Sequence, residues 1–410
     1  MPRYPVFTPQ EISVFRKAID AYRAPGAYEP GKWSVSPLNR RPEIVGTMPG
    51  KIVLRDIAVR TTEQMPGVVL PAAERMRLLQ AVVEAGVPSV QVGAFGRTRS
   101  RTDMRADVVR IKEINPHCEV VYGGLTSVDQ IQLAADVGID NVQFWAAPYA
   151  EAAAITASNS LYRKAWADEA YTAEDLVRSV EAQLEIACQL VCAGHQYGVT
   201  VSVGINQLSF APETYVIRYC QVMQEAGAAE IVLYDGSSGM SPEGYAHMVG
   251  LTKQYAPGAA IGVHTHNMFD LAVANALAAA RAGATVLEVS VNGYCSASGQ
   301  ADLAATALAL EALYGIPTGL DLARLTPLAR LGEEITGYKL AWNHPVTGPE
   351  VYNWGGTEFV IQELKIDPLI HWCIEPSLVG NARRWDITFD SGPYTIVNCY
   401  NTLTTSREVL

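Results

Sequence analysis

One local pattern recurs eight times from residue 51 onward: a short apolar run followed by a longer, mostly amphipathic stretch. The apolar runs, which we predict to be β-strands, span 51–56, 89–93, 118–123, 141–146, 199–205, 230–235, 260–266 and 286–292. Several of the stretches between them have helical periodicity and end in glycine, which suits the end of a helix before the next strand. This alternation is typical of parallel strands joined by crossover helices.

Eight strand–helix units over roughly 250 residues match the size of a closed (β/α)8 barrel. An open doubly wound sheet is the alternative, but no glycine-rich phosphate-binding motif follows any predicted strand. The sequence therefore predicts an α/β fold with a TIM barrel over 51–317, an N-terminal extension over 1–50 and a small C-terminal subdomain over 318–410. The extension is expected to form an arm or an extra helix. The long connection over 149–176 is expected to shape or cover an active site.

Composition excludes several classes of function. The net charge of −11 argues against binding to nucleic acid or to an anionic membrane surface, since either would favour a basic face. No apolar stretch is long enough to span a membrane and the first 20 residues lack a signal-peptide core, so a cytoplasmic protein is expected. The seven cysteines form no CxxC pair, which argues against a disulfide framework or a structural zinc knuckle.

Two of the seven histidines, His264 and His266, lie one residue apart at the end of the seventh predicted strand. Side chains at i and i+2 of a strand face the same side, so both imidazoles can enter the barrel mouth and share a metal ion. Asp56 ends the first strand, a near neighbour on a closed ring. Two imidazoles and a carboxylate are a common set of ligands for a divalent metal. The alternative is a hydrogen-bonded strand end at HTHN and a structural ion pair at LRD.

These motifs resemble the DRE-TIM metallolyases. The similarity lies in LRD at the first strand end, in HTHN followed by LAVANALAA, and in NG just past the eighth strand. That superfamily includes 2-isopropylmalate, homocitrate and citramalate synthases, HMG-CoA lyase and the 4-hydroxy-2-oxovalerate aldolases. The similarity extends from residue 51 to about residue 385, and HPVTG with PSLVGNARR is similar to the segment after the barrel in the acyl-CoA-dependent synthases.

The resemblance implies a divalent cation (Mn, Mg, Zn or Co) held by Asp56, His264 and His266 and chelated by the carboxylate and keto oxygens of a 2-oxo acid. It also implies that Arg55 stabilises the enolate or keto oxygen. This role is physically reasonable because a guanidinium places positive charge where negative charge develops in the reaction. Pairing of Arg55 with a barrel carboxylate is the alternative. A homodimer is expected by the same resemblance.

The sequence also departs from the family pattern. Relatives have LRDGEQ, whereas here an insertion delays EQ and lengthens the first loop over the metal site. Arg60 in this insertion is expected either to reach an anionic substrate or to be an exposed arginine, and Gln64 to help orient the ligands. Ser296 stands where the synthases have a catalytic glutamate, Gln300 replaces an asparagine near the metal, and Phe359 stands in place of a histidine. The usual bases for a condensation are therefore absent.

Other polar residues near the strand ends are candidates for the site. HMG-CoA lyases carry a cysteine in the loop after the last strand, so Cys295 is expected either to relay a proton or to be a small buried thiol. Asp235 and Ser237 are expected to orient substrate oxygens or to form a polar turn before a helix. Asn267 and Asn292 are expected to fix ligand orientation. Tyr234 replaces the lysine of the biotin-dependent carboxyltransferases, which argues against carboxyl transfer.

The function predicted first is a metal-dependent transferase that condenses an acyl-CoA, such as acetyl-CoA, with a 2-oxo acid. The second is a metal-dependent carbon–carbon lyase or aldolase acting on a 2-oxo or 2-hydroxy acid, with Cys295 or a metal-bound water as the proton carrier. The third, from another class, is a non-catalytic barrel that serves as a scaffold or regulator.

Overall fold

The computed structural model describes residues 23–95, 100–147, 172–355 and 367–389, together with a few isolated positions near the two ends. Eight parallel strands close into a barrel, which confirms the predicted (β/α)8 fold. They are β1 (Val53–Asp56), β2 (Ser89–Ala94), β3 (Glu119–Gly123), β4 (Asn141–Ala146), β5 (Thr200–Ile205), β6 (Glu230–Asp235), β7 (Ala260–Thr265) and β8 (Val286–Val289). Strand β8 pairs with both β7 and β1 and so closes the ring.

A helix follows each strand. These helices are α1 (Ala72–Glu84), α2 (Arg101–Ile114), α3 (Val128–Val137), α4 (Ala173–Tyr197), α5 (Glu213–Ala226), α6 (Pro242–Tyr255), α7 (Ala272–Ala282) and α8 (Leu303–Ala309). The predicted glycine stops are confirmed at Gly138, Gly227 and Gly283, whose φ angles of 90°, 76° and 119° end α3, α5 and α7. Glycine adopts this left-handed conformation without the steric cost of a Cβ.

The barrel strands carry apolar side chains on one face and polar side chains on the other. Leu54 and Leu287 belong to the apolar core, whereas Glu288 is the register partner of both Arg55 and His264. We call Arg55, Glu288 and His264 the inner row. Because successive strand residues face opposite sides, this register places Asp56 on the face of β1 opposite to Arg55.

The segments outside the barrel pack against each other. Residues 23–50 contain a hairpin of Tyr28–Glu29 with Trp33–Ser34, a 3-10 turn at Pro37–Arg40 and a short helix at Pro42–Val45. After the barrel follow a helix, α9 (Leu325–Thr336), and a two-stranded sheet of Asn353–Gly355 with Arg384–Asp386. Ser34 donates its backbone N–H to the carbonyl of Cys373 at 2.9 Å, which joins the segment before the barrel to the segment after it.

Two sequence-based expectations fall on other parts of the chain. Most of the long connection over 149–176 and the position Phe359 lie outside the described residues. Within the part of the chain that the structure describes, no helix is both long and apolar enough to cross a membrane.

Candidate metal centre

A cavity of about 290 Å³ opens at the carboxyl end of the barrel. Its lining comes from the ends of β4, β6 and β7 and from the loops after β1, β5, β6, β7 and β8. It consists of Arg60, Gln64, Trp145, Asn206, Gln207, Tyr234, Gly236, His264, His266, Cys295 and Ser296. Six of these residues were predicted from the sequence, and active sites of TIM barrels lie at this end. The cavity is therefore the candidate active site.

The two histidines lie side by side in the cavity wall. Their ring centroids are 5.0 Å apart, and both rings are buried. Nδ1 of His264 contacts Oε2 of Glu288 at 2.9 Å, so that its other nitrogen, Nε2, is left for the cavity. Burial disfavours the charged imidazolium, but hydrogen bonds to Cys295 and Glu288 outweigh it and raise the pKa of His264. Burial likewise acts to raise the pKa of Glu288, but His264 and Arg55 hold that pKa at about 2.

Cys295 completes a compact group with the two histidines. Its Sγ is 3.8 Å from Nε2 of His266, and its side chain is almost fully buried at 6% exposure. Burial would raise the pKa of this thiol, but hydrogen bonds with His264 and His266 lower the pKa to about 5. Among the described residues, one group offers three metal-ligating atoms within 4.8 Å of one another, and it consists of His264, His266 and Cys295.

The donor set fits a divalent metal ion. Two imidazole nitrogens and a sulfur are ligands that Zn²⁺ accepts, with a fourth position left for a substrate oxygen. Next to them, the side-chain amide of Gln300 is buried and both of its polar atoms lack a hydrogen-bond partner in the described chain. Gln300 is joined to His266 by a backbone bridge. A buried amide of this kind is costly without a partner, so a ligand or an ordered water is expected beside it.

Asp56, predicted as the third ligand, is not brought into this group. Its Oδ1 accepts the backbone N–H of Ala58 at 2.9 Å, and its Oδ2 accepts that of Val291 at 3.0 Å. Burial raises the pKa of this carboxyl to about 7 against the effect of the two amide donors. The physical reason for the difference is the alternation along β1, because His264 and Arg55 share the inner row and Asp56 faces the other side. In the structure Asp56 anchors the loops after β1 and β8.

Arg55 lies beneath the cavity rather than in its wall. It is 1% exposed, and Nη1 and Nη2 donate to the two carboxylate oxygens of Glu230 at 2.7 and 2.9 Å. Its Nη2 also contacts Glu119 at 3.1 Å and its Nε donates to Ser89 at 3.0 Å. Burial would lower the pKa of the guanidinium, but Glu230 and Glu119 raise it above its usual value. Arg55 therefore pairs with barrel carboxylates, which was the alternative interpretation of the sequence, and it does not line the cavity.

Arg60 and Gln64 reach the cavity from the loop after β1. The guanidinium of Arg60 lies 5.5 Å from the ring centre of Trp145, and the residue is 6% exposed, so it is not a surface arginine. Its helical turn, Ala58–Thr61, follows directly from the anchor at Asp56. Gln64 lies with its Oε1 3.7 Å from Sγ of Cys295. The loop after β1 therefore brings a cation into the cavity.

Four other predicted residues hold local structure. Asp235 accepts hydrogen bonds at Oδ1 from Ser209 at 2.6 Å and from Ser237 at 2.9 Å. Asn267 accepts the backbone N–H of the first residue of α7 at 3.0 Å. Asn292 donates to the hydroxyl of Tyr294 and to a backbone carbonyl of α9, each at 2.9 Å. These contacts stabilise the turns around the cavity.

Sequence reasoning missed the polar residues inside the barrel. Glu288 also accepts from Gln143 at 2.7 Å, and Gln143 in turn accepts from Gln91. With Glu119 and Glu230, these residues fill the interior below the histidines. Each is a carboxylate or amide residue with an apolar residue on either side of it in the sequence, and that interruption was the available signal.

The family model described as HMGL-like matches residues 51–331. The chain belongs to this family. The match confirms the resemblance to the DRE-TIM metallolyases, and the chain is an enzyme of that type.

Two curated relatives show how far the similarity extends. The 2-phosphonomethylmalate synthase of Streptomyces rubellomurinus is 28% identical over 308 residues, which cover 74% of this chain and 76% of that protein. A probable 2-isopropylmalate synthase of Ignicoccus hospitalis is 25% identical over 361 residues, which cover 88% of this chain and 85% of the relative. The similarity to synthases thus extends over the barrel and beyond it.

Solved structures share the fold. The HMG-CoA lyase of Bacillus subtilis superposes with a TM-score of 0.56 at 18% identity, covering 72% of this chain and 96% of the lyase. At this identity the likeness concerns the fold alone. Synthases and lyases are both found among the similar proteins.

Proposed function

We propose that this protein is a divalent-metal-dependent enzyme that forms a carbon–carbon bond between an acyl thioester and a 2-oxo acid. The observation that carries the proposal is the pair of imidazoles, His264 and His266, in the wall of a cavity at the carboxyl end of the barrel. The similarity of nearly the whole chain to malate-type synthases favours condensation over cleavage. Acyl-CoA is the proposed co-substrate.

The residues of the cavity have distinct roles in this proposal. A metal ion held by His264 and His266 would polarise the keto group of the oxo acid as a Lewis acid. Glu288, at 2.9 Å from Nδ1, orients the His264 ring and keeps Nε2 unprotonated towards the cavity. Arg60 supplies a fixed positive charge for a carboxylate of the substrate.

Arg60 also bears on the choice of substrate. The name of one relative, 2-phosphonomethylmalate synthase, describes a product with an anionic group beyond the malate core. A buried guanidinium held against Trp145 is suited to such a group, since an anion in a partly desolvated cavity needs a charged partner. We therefore propose an oxo acid that carries a second anionic group.

Cleavage is the second candidate, and the position of Cys295 favours it. A thiol in the cavity wall, 3.8 Å from His266, is placed where a proton carrier for a lyase would be needed. In that case the substrate would be a 2-hydroxy acid or its thioester, and Cys295 would transfer the proton.

An assay for free thiol separates the two candidates. The metal-loaded protein is incubated with acetyl-CoA and a panel of 2-oxo acids, and thiol release is measured with a chromogenic disulfide. Release that requires the oxo acid supports condensation, whereas formation of pyruvate or an aldehyde from a hydroxy acid supports cleavage. If the metal-loaded protein shows neither activity, both candidates are refuted.

A matched pair of variants controls this assay. His264→Ala removes an imidazole from the cavity, and His247→Ala removes an exposed one that contacts Glu213. We expect His264→Ala to abolish turnover and His247→Ala to leave it unchanged.

A homodimer is also part of the proposal, as is the division of the chain at residues 50/51 and 317/318. Analytical sedimentation tests the homodimer, and limited proteolysis tests the domain bounds.

A further inference from the structure

We infer that Cys295 is itself a metal ligand, so that the site consists of two imidazole nitrogens and one thiolate sulfur. Such a site selects Zn²⁺ or Co²⁺ over Mg²⁺ or Mn²⁺. The inference rests on the proposed function only in assuming that the cavity holds a divalent ion. It replaces the carboxylate of Asp56 by a sulfur from the loop after β8.

The distances support this assignment. Zinc–nitrogen bonds of about 2.0 Å and zinc–sulfur bonds of about 2.3 Å in a tetrahedral site place N and S about 3.5 Å apart. Sγ of Cys295 is 3.8 Å from Nε2 of His266, and one ligand atom each from Cys295, His264 and His266 lies within 4.8 Å of the other two. The distance from Cys295 to His266 thus exceeds the separation expected for two bound ligands by a few tenths of an ångström.

The neighbours of the three donors orient them for this role. Glu288 occupies Nδ1 of His264, which leaves Nε2 as its ligating atom. Sγ of Cys295 also lies near two uncharged groups, Gln64 at 3.7 Å and Ser296 at 3.9 Å. A soft sulfur thus faces the place where both imidazoles converge.

Asp56 is unsuited to the same position. Both of its oxygens accept backbone N–H groups, and the register of β1 with β8 turns it away from the inner row. To ligate the ion it would have to release the loops that it anchors. The preference for a soft metal follows from this exchange of an oxygen ligand for a sulfur ligand.

Ligation has a chemical consequence for the reaction. In the ligated state the sulfur is bound as thiolate and carries no proton. A ligated Cys295 is then no longer a proton carrier. The inference is therefore incompatible with the cleavage mechanism in which Cys295 transfers the proton.

Cobalt substitution tests the inference without any assay of activity. The purified protein is stripped with a chelator and titrated with Co²⁺, and its near-ultraviolet absorption is recorded, where thiolate-to-cobalt charge transfer appears. We expect this band in the wild type, in Asp56→Asn and in Cys192→Ser, which removes an exposed thiol on α4. Cys295→Ser should lose the band and bind Co²⁺ over about 100-fold more weakly. That loss exceeds the loss in metal affinity that follows removal of a residue that only hydrogen-bonds to a ligand.

The opposing results are equally defined. Bound Co²⁺ without the band in the wild type, no binding of Co²⁺ at all, or a band that persists in Cys295→Ser would each overturn the inference. If Cys295→Ser fails to fold, as judged by circular dichroism, the wild-type spectrum alone decides. A protein that shows the band but releases no thiol would refute the proposed function and leave the ligand assignment standing. A protein that releases thiol but shows no band would refute the ligand assignment and leave the proposed function standing.

Discussion

Replacement of Glu288 by glutamine tests how the barrel interior controls the metal centre. In the structure the two oxygens of Glu288 receive donors from both sides, Gln143 at 2.7 Å and Nδ1 of His264 at 2.9 Å. A glutamine has one acceptor oxygen and one NH₂ group. With its oxygen towards Gln143 and Arg55, its NH₂ faces His264, which must then accept at Nδ1 and carry its proton on Nε2. The nitrogen that faces the cavity is thereby blocked from binding a metal.

We expect Glu288→Gln to weaken metal binding by about 10–100-fold, which is about 1.4–2.7 kcal/mol. Arg55 keeps Glu230 and Glu119, so the free energy of unfolding should fall by less than about 2 kcal/mol. Isothermal titration with Zn²⁺ and urea denaturation measure the two quantities. Glu119→Gln is the matched control, because it removes a carboxylate from the same arginine and none from His264. Equal metal affinity in Glu288→Gln and the wild type, or an equal loss in the control, would refute the reasoning.

Three further results are expected. Arg55→Met should lower the free energy of unfolding by about 3–5 kcal/mol in urea, since it leaves buried carboxylates without a cation; a loss below about 1 kcal/mol would contradict the structural role. Burial would raise the pKa of Asp367, but its hydrogen bonds and Arg23 hold that pKa below its usual value. The carboxylate therefore stabilises the fold above about pH 4, and this stabilisation is lost as the pH falls through the folded-state pKa. Asp367→Asn should therefore cost about 1 kcal/mol at neutral pH, with the gap to wild type closing in acid; a pH-independent gap in urea midpoints speaks against this. Arg60→Met should raise KM for oxo acids with a second anionic group by about tenfold, and steady-state kinetics showing an equal rise for pyruvate would exclude a charge-specific role.

The fold was predictable because the apolar periodicity and the glycine stops agree with each other along most of the barrel. The strands over 141–146 and 230–235 were predicted with their observed bounds, and the other boundaries moved by at most three residues. The largest shift is at the end of β8, where Ser290 leaves the ladder and a 3-10 turn with a left-handed Asn292 (φ 55°) begins. A polar tail after an apolar run does not mark where strand pairing stops.

The site was predictable only in part. The spacing of His264 and His266 fixes their common face, and the structure brings them together in the cavity. The placement of Asp56 depended on the relative register of β1, β7 and β8, which no local pattern determines. The one-residue offset between Arg55 and Asp56 was enough to exchange which of the two side chains enters the barrel. Cys295 lies in an irregular loop, and its distance to the histidines could not be read from the sequence.

The carboxylates below the histidines bear on the proposed binding of a cation in the cavity. Glu288 and Glu230 place buried negative charge below the histidines, and Arg55 neutralises part of it. The remaining negative charge favours a metal cation above it, since a buried carboxylate needs a positive partner. Arg60 lines the same cavity from the loop after β1. In the proposed function the barrel strands would hold the metal and Arg60 would hold the acid, so that mutation should remove these two contributions separately.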